Sequence, residues 1–205
     1  MANLPDHLAL PLVSGAGSWL WSGGRPATDL VNTLRERAGR RIETLVTPAD
    51  LVGWLNAARV LADPGAPCDA RRLDGARRLR EAIDACVAAT VERNPAPACS
   101  VQVIDAVLSR PALIATDIGA PLLIDGDEGD PVRAALATVA LDAARMLGTV
   151  ERDRIRICAG VSCSARFYDR SPGGRRRWCS GQSCGNSARV RAHRARRTRT
   201  EEALR

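Results

Sequence analysis

The run Cys158-Ala-Gly-Val-Ser-Cys163, a gap of fifteen residues, and then Cys179-Ser-Gly-Gln-Ser-Cys184 set two Cys-x4-Cys knuckles in one short segment. That spacing brings two thiolate pairs around a single tetrahedral zinc ion. Four thiolates leave the ion no open position for a substrate, so it would organise a small module rather than perform chemistry. Binding, not catalysis, is the expectation at this end of the chain.

On the amino-terminal side, Arg154 to Ile157 alternates charged and apolar residues and should lead as a strand into the first knuckle. Phe167-Tyr168 and Trp178 form the aromatic cluster of the segment. A module this small has almost no core, so metal and aromatics must stabilise it together. The second knuckle should pass into a helix near Gly185, which makes a treble-clef-like finger. Beyond it, Arg189, Arg191, Arg194, Arg196, Arg197 and Arg199 surround that helix when projected at about 100° per residue. A helix basic on all sides cannot bury one face. It is either set in a groove flanked by phosphates, the favoured reading, or a solvated tail. Arg175, Arg176 and Arg177 follow Pro172-Gly173-Gly174 in the inter-knuckle loop, where they would serve as phosphate clamps or form a solvated turn. His193, between arginines, reads as a polar surface group rather than a fifth ligand.

Charge divides the 205 residues at the same place. Residues 1–150 carry 15 Arg and 18 acidic residues, a net of −3, whereas residues 151–205 carry 15 Arg and 5 acidic residues, a net of +10. A basic module on a mildly acidic body suits contact with a polyanion, nucleic acid first among them. All basic residues other than histidine are Arg, but this holds in the acidic part too and so carries little functional weight. No stretch approaches the roughly 20 apolar residues of a membrane span. The amino terminus lacks the layout of a signal peptide, so a cytoplasmic protein without membrane attachment is expected. Reduced thiols are the default there, which favours metal over disulfides for the paired cysteines. Cys68, Cys86 and Cys99 have no paired spacing and read as bystanders.

The body, 1–150, reads as mainly α with a few short strands, an α+β domain ahead of the finger. Trp19-Leu20-Trp21 before Ser22-Gly23-Gly24 suggests a strand and turn. Ala27, Leu30, Val31, Leu34 and Ala38 predict a helix over 27–38. Thr47-Pro48-Ala49-Asp50 supplies an N-cap, a first-turn Pro and a carboxylate, opening a helix over 51–61. Asp69 caps a long helix whose apolar stripe is interrupted by Arg80. Val101 to Leu108 is helical, Ala112 to Asp125 forms a hairpin around Asp117-Ile118-Gly119, and Asp130-Pro131 opens a last helix ending at Gly148.

Several of these residues carry a resemblance. Phe167, Asp169, Arg177-Trp178-Cys179-Ser180 and Cys184-Gly185-Asn186, set among the four cysteines, resemble the CGNR zinc finger. Gly23-Gly24, Asp29-Leu30-Val31-Asn32-Thr33, Thr47-Pro48-Ala49-Asp50-Leu51 and Trp54-Leu55 are similar to the opening motifs of the ABATE domain that usually precedes it. The resemblance spans nearly all of the chain. It implies a stress-related transcription regulator whose amino-terminal domain senses a small molecule. Ser187 stands where the finger's signature has Arg, and Arg189 and Arg191, within the next turn, are the residues placed to substitute for it.

The expected function is therefore zinc-dependent DNA binding, with Arg175, Arg176, Arg177, Asn186, Arg189, Arg191 and Arg194 at the nucleic acid. One finger makes few base contacts, so a homodimer on repeated half-sites would be needed for specificity. RNA binding is the alternative, because zinc knuckles with exposed aromatics grip single strands; exposed Tyr168 and Trp178 would favour it. A catalytic body is the second alternative. The chain has no Gly-rich phosphate loop or nucleophile elbow, and its histidines are His7 and His193, so no enzyme is expected. Trp19, Trp21 and Trp54, with Asn32 and Arg35, are candidates for walls of an effector pocket.

Overall fold

Polar caps at three helix starts set the framework of the computed structural model, which describes residues 13–15, 17, 19–108, 111–115, 121–125 and 130–203. At α2 (Pro48–Ala57) the Asp50 backbone N–H donates to Thr47 Oγ1, and the Thr47 N–H donates to Asp50 Oδ2 at 2.7 Å. This reciprocal box satisfies two donors that a helix start otherwise leaves open. Asp69 caps α3 (Ala70–Glu92) through the Arg72 N–H, and Asp130 caps α5 (Pro131–Gly148) through the Arg133 N–H, each at 2.8 Å. The long α3 ends where Arg93 turns left-handed, with φ at 61°. These helices pack with α1 (Pro26–Val31) and α4 (Ala98–Leu108) around Leu30, Leu51, Trp54, Leu79, Ile83 and Met146, all fully buried. Each such side chain contributes about 1.5–3 kcal/mol relative to leaving it in water.

The first helix is shorter than its apolar spacing predicts. It stops at Val31; Leu34–Arg35 is strand β1, paired antiparallel with β2 (Ile42–Glu43) in the register Leu34 to Glu43 and Arg35 to Ile42. Thr33 Oγ1 donates to the Leu30 carbonyl at 2.6 Å, and Glu36 and Arg41 take left-handed φ values of 50° to turn the hairpin. Leu34 is buried as predicted, but from a strand. Arg80, which breaks the apolar stripe of α3, is 2% exposed and meets Glu43, 0% exposed, in a two-pronged ion pair with both N–O distances at 2.7 Å. A buried charge of this kind requires such a partner. The predicted strand at Trp19-Leu20-Trp21 does not form: the segment is irregular and held by its rings, with Trp21 stacked on Trp54 at 5.9 Å and edge-on to Trp19 at 6.2 Å.

The hairpin after α4 pairs β3 (Pro111–Ala115) with β4 (Pro121–Asp125), Leu113 opposite Leu123. Its turn at Asp117-Ile118-Gly119 lies outside the described residues, as does His7. After α5 a 3-10 stretch, Val150–Arg154, feeds β5 (Ile155–Ile157), which pairs antiparallel with β6 (Arg166–Tyr168). Strand β5 packs against α3 and β6 against α1. Ile155, 1% exposed, belongs to the same apolar core as the helices, so packing runs across residue 150. A π-helical turn, Gly181–Gly185, carries the second knuckle into α6 (Asn186–Ala203). Among the described residues no helix is long and apolar enough to cross a membrane.

Candidate metal centre and basic helix

The four sulfurs converge. All ligand atoms of Cys158, Cys163, Cys179 and Cys184 lie within 4.8 Å of one another, with Cys163 Sγ 3.7 Å and Cys184 Sγ 3.8 Å from Cys179 Sγ. Zinc–sulfur bonds of about 2.3 Å set the edges of a thiolate tetrahedron near 3.8 Å, so the donors fit one ion. Local backbone explains the convergence. The Cys158 N–H donates to the Ala165 carbonyl at 2.9 Å, and the Ala159 N–H to the Arg177 carbonyl at 2.8 Å, which tethers the first knuckle to the approach of the second. The Cys179 N–H points at Cys158 Sγ at 3.4 Å. A Cβ on Gly160 would sit 3.0 Å from Cys163 Cβ and 3.4–3.5 Å from the Cys184 and Cys158 sulfurs, so the first knuckle is closed tightly around this glycine.

Electrostatics point the same way. The hydrogen bond from Cys179 lowers the Cys163 thiol to about 5. Its partners move oppositely: Cys179 is pushed up by giving that hydrogen bond and by burial, and Cys184 rises to about 11 through burial and then its contacts with Cys163. One thiolate is favoured and its neighbours resist a second negative charge, so a dication is what lets all four ionise. These cysteines are positioned to bind one zinc ion. Around them the finger has a minimal core in which Phe167 is fully buried and Trp178 is half-buried against the cysteines.

Asp169, fully buried, shapes the loop between the knuckles. Its Oδ1 accepts the Ser171 N–H at 2.9 Å and its Oδ2 the Arg176 N–H at 2.8 Å. Burial alone would raise this carboxyl, but those hydrogen bonds hold it below the usual carboxylate range. The three loop arginines separate in role. Arg176 turns inward, donating to the Cys179 carbonyl at 2.6 Å with its guanidinium 5.1 Å from the centre of the Phe167 ring. Arg175 and Arg177 are exposed, the latter 5.2 Å over Trp178. Asn186 begins α6 and is exposed, as is Ser187. Arg189, Arg191, Arg194, Arg196, Arg197 and Arg199 are all exposed, and Arg189 reaches back to the Gly181 carbonyl at 3.4 Å.

The finger is stitched to the body by residues whose role the sequence did not reveal. Asn32 is 2% exposed and pairs with Arg166 like an added strand: its Nδ2 donates to the Arg166 carbonyl at 2.9 Å, and its Oδ1 accepts the Arg166 N–H at 2.8 Å. The Tyr168 N–H donates to the Gly23 carbonyl at 2.7 Å. Arg25 bridges Asp142 at 2.7 Å and Glu151 at 2.5 Å while lying 5.2 Å over the Tyr168 ring. Arg166 meets Asp84 at 2.6 Å. The sequence marked Gly23 as a turn residue, Asn32 as a candidate pocket wall and Tyr168 as an aromatic of the finger, but nothing in it paired Gly23 with Tyr168 or Asn32 with Arg166.

The five candidate pocket residues are not gathered into one site. Trp21 stacks on Trp54 and meets Trp19 edge-on, with Trp54 fully buried and Trp21 exposed. Asn32 and Arg35 border a separate recess of about 130 Å³ beside Cys163 and Ser164. Asn32 cannot serve a ligand while its amide is committed to β6. Cys68, Cys86 and Cys99 stand apart from the metal cluster as free thiols.

A mainly helical body with an integrated four-cysteine zinc finger is the class that this geometry defines. Residues 24–150 match the ABATE family, described as "Putative stress-induced transcription regulator", and residues 154–197 match the CGNR zinc finger. The chain belongs to the ABATE family and carries the CGNR finger behind that domain. No match was found among curated proteins.

Proposed function

We propose that this protein is a zinc-dependent, duplex-DNA-binding transcription regulator whose body senses a small molecule, and that it is not an enzyme. The observation that carries the DNA reading is α6. It leaves the second knuckle directly, and every residue from Arg189 to Arg197 is exposed. A helix held rigidly at one end and cationic around its circumference suits insertion between phosphate backbones. Arg175 and Arg177, exposed on the loop, are placed to add backbone contacts. Arg176 is left out of this set, because its guanidinium is engaged inside the finger. Two copies on repeated half-sites would supply the base contacts that one finger lacks.

RNA binding is the weaker reading, on a specific ground. Tyr168 and Trp178 are half-buried, and each has a guanidinium over its ring, which leaves less aromatic surface to stack on bases. The test is titration of the zinc-loaded protein with duplex DNA from upstream of its own gene, random duplex and single-stranded RNA across a salt series. Duplex preference with a log–log salt slope of about 5 to 8 is expected from the arginine count. Preference for the single strand would overturn the reading in favour of RNA.

A further inference from the structure

A cleft of about 1130 Å³ opens where the ends of α3 and α5 and the first half of α4 meet the start of the finger. It is distinct from the tryptophan cluster and from the recess beside Cys163. Its size is at the upper end for a small-molecule site. Val91, Val101, Ile104, Leu147 and Ile155 provide an apolar lining. Three arginines line it, Arg93, Arg152 and Arg156, with two aspartates, Asp105 and Asp153. Neither Arg93 nor Arg152 has an ion pair among the described residues. Among the described residues the Arg156 guanidinium hydrogen-bonds to backbone carbonyls, those of Asp153 at 2.7 Å, Ile155 at 2.8 Å and Gly174 at 2.9 Å. The carbonyls that close α3 are partly engaged already, Ala89 O accepting the Asn94 N–H at 2.8 Å. Three arginines against two aspartates give the lining a net positive charge beside an apolar surface.

Arg156 has a second consequence. It lies two residues before Cys158, and its guanidinium holds the carbonyl of Gly174, the residue that immediately precedes the loop arginines. Gly174 has a φ of 57°, a conformation that glycine adopts freely, so the loop turns sharply at this point. A carboxylate that drew the Arg156 guanidinium toward the cleft would release that carbonyl and alter how Arg175 and Arg177 are presented.

We propose that this cleft binds an organic anion with an apolar body, of the aromatic or medium-chain carboxylate class, and that Arg156 transmits its occupancy to the 174–177 loop. The inference rests on the sensing part of the function proposed above, and its test requires no DNA. The zinc-loaded full chain is titrated with anilinonaphthalene sulfonate, a fluorescent apolar anion, in competition with octanoate or octylamine. One probe per chain is expected, displaced by octanoate and not by octylamine. Val101→Trp, at a partly exposed position on α4, should fill the cleft, and Arg152→Glu, at an exposed position, should reverse its charge. Each should weaken probe binding about tenfold or more with thermal unfolding little changed. Arg152→Glu keeps the test decisive if Val101→Trp folds poorly. Variants that bind like the parent, or competition by octylamine equal to that by octanoate, would overturn the site. Amide hydrogen exchange at 174–177 should change on saturation with probe in the parent and not in Arg156→Met; unchanged exchange in the parent would overturn the transmission. Loss of DNA binding alone would bear on the function proposed above and leave this result standing.

Discussion

The body and the finger are stabilised by opposite means. In the body, helices share one apolar core that includes Trp54, Leu79, Ile83 and Met146, and the buried charges Arg80 and Glu43 satisfy each other. In the finger, the buried apolar set is Cys158, Ala165, Phe167 and Cys179, two of whose members are metal ligands. One region folds by removing apolar surface from water; the other requires a cation to reconcile four thiols whose charges repel. The difference teaches where regulation and failure should lie. Loss of metal should dissolve the finger and free α6 while the body persists, and the seam between them decides how far the damage spreads.

The largest expected effect comes from breaking the finger. Chelation of zinc, or Cys179→Ser, removes a binding energy that in zinc-finger peptides amounts to roughly 10–16 kcal/mol. Metal content should fall from one ion per chain to none, and hydrogen exchange should accelerate through 158–184 while α2, α3 and α5 remain protected. Equal loss of protection in the body would break the comparison.

Next comes the body's own polar anchor. Arg80→Ala should cost about 3–5 kcal/mol, because it leaves the buried Glu43 carboxylate with the Leu45 N–H at 3.0 Å and the more distant Arg77 at 3.9 Å, whereas joint replacement with Arg80→Met and Glu43→Leu should recover most of that loss. Denaturant unfolding of the zinc-loaded protein reads both. A double variant no better than the single would show that the pair does more than satisfy itself.

The seam should yield less. Asn32→Ala removes both bonds to β6 and leaves the Arg166 N–H and C=O without partners, at a cost of about 1–3 kcal/mol. Its signature is faster exchange at 155–168 with zinc still bound. A variant that lost zinc outright would mean that the finger cannot hold its ion without the body.

The smallest effect is a pH dependence at the same seam. Burial raises Asp29 to about 6, although its carboxylate accepts the Gly23 N–H at 2.8 Å. An acid whose folded value is raised binds more protons when folded, so this group's contribution to stability grows as pH falls from about 6 toward the ordinary carboxylate range. Asp29→Asn keeps an acceptor and should flatten that part of the stability profile while modestly favouring the folded state at neutral pH. An unchanged profile between about pH 3 and 7, taken as about one unit beyond each end of the shift, would contradict the assignment.

What the sequence disclosed was local. Thr47, Asp69 and Asp130 each announced a helix because a cap and its helix are contiguous, and the cysteine spacing announced the metal site because both knuckles are short and self-contained. What it concealed was long-range. Leu34 kept helical spacing with Leu30 and Val31, yet the chain left the helix because Asn32 was recruited by a strand 134 positions later. Arg80 looked like a flaw in an apolar stripe until Glu43, 37 positions earlier, supplied its partner. Trp19 and Trp21 looked like alternating strand residues, but Trp21 is held by stacking on Trp54 and Trp19 by its edge-on contact with Trp21. Arg176 was grouped with Arg175 and Arg177 by adjacency, whereas the Asp169 turn and the Phe167 ring draw it inward. Charge division at residue 150 was legible; the packing of Ile155 into the body was not, since one isoleucine gives no sign of which core it joins.

The measurement that tests the account most directly is the affinity of the full chain for duplex DNA with zinc bound and after chelation, at one low salt concentration. The account predicts clear binding with zinc and its loss on chelation, with recovery on adding zinc back. Equal affinity in both states would mean that the arginines act as an unanchored polycation, and no binding even with zinc would remove DNA from the function of this protein.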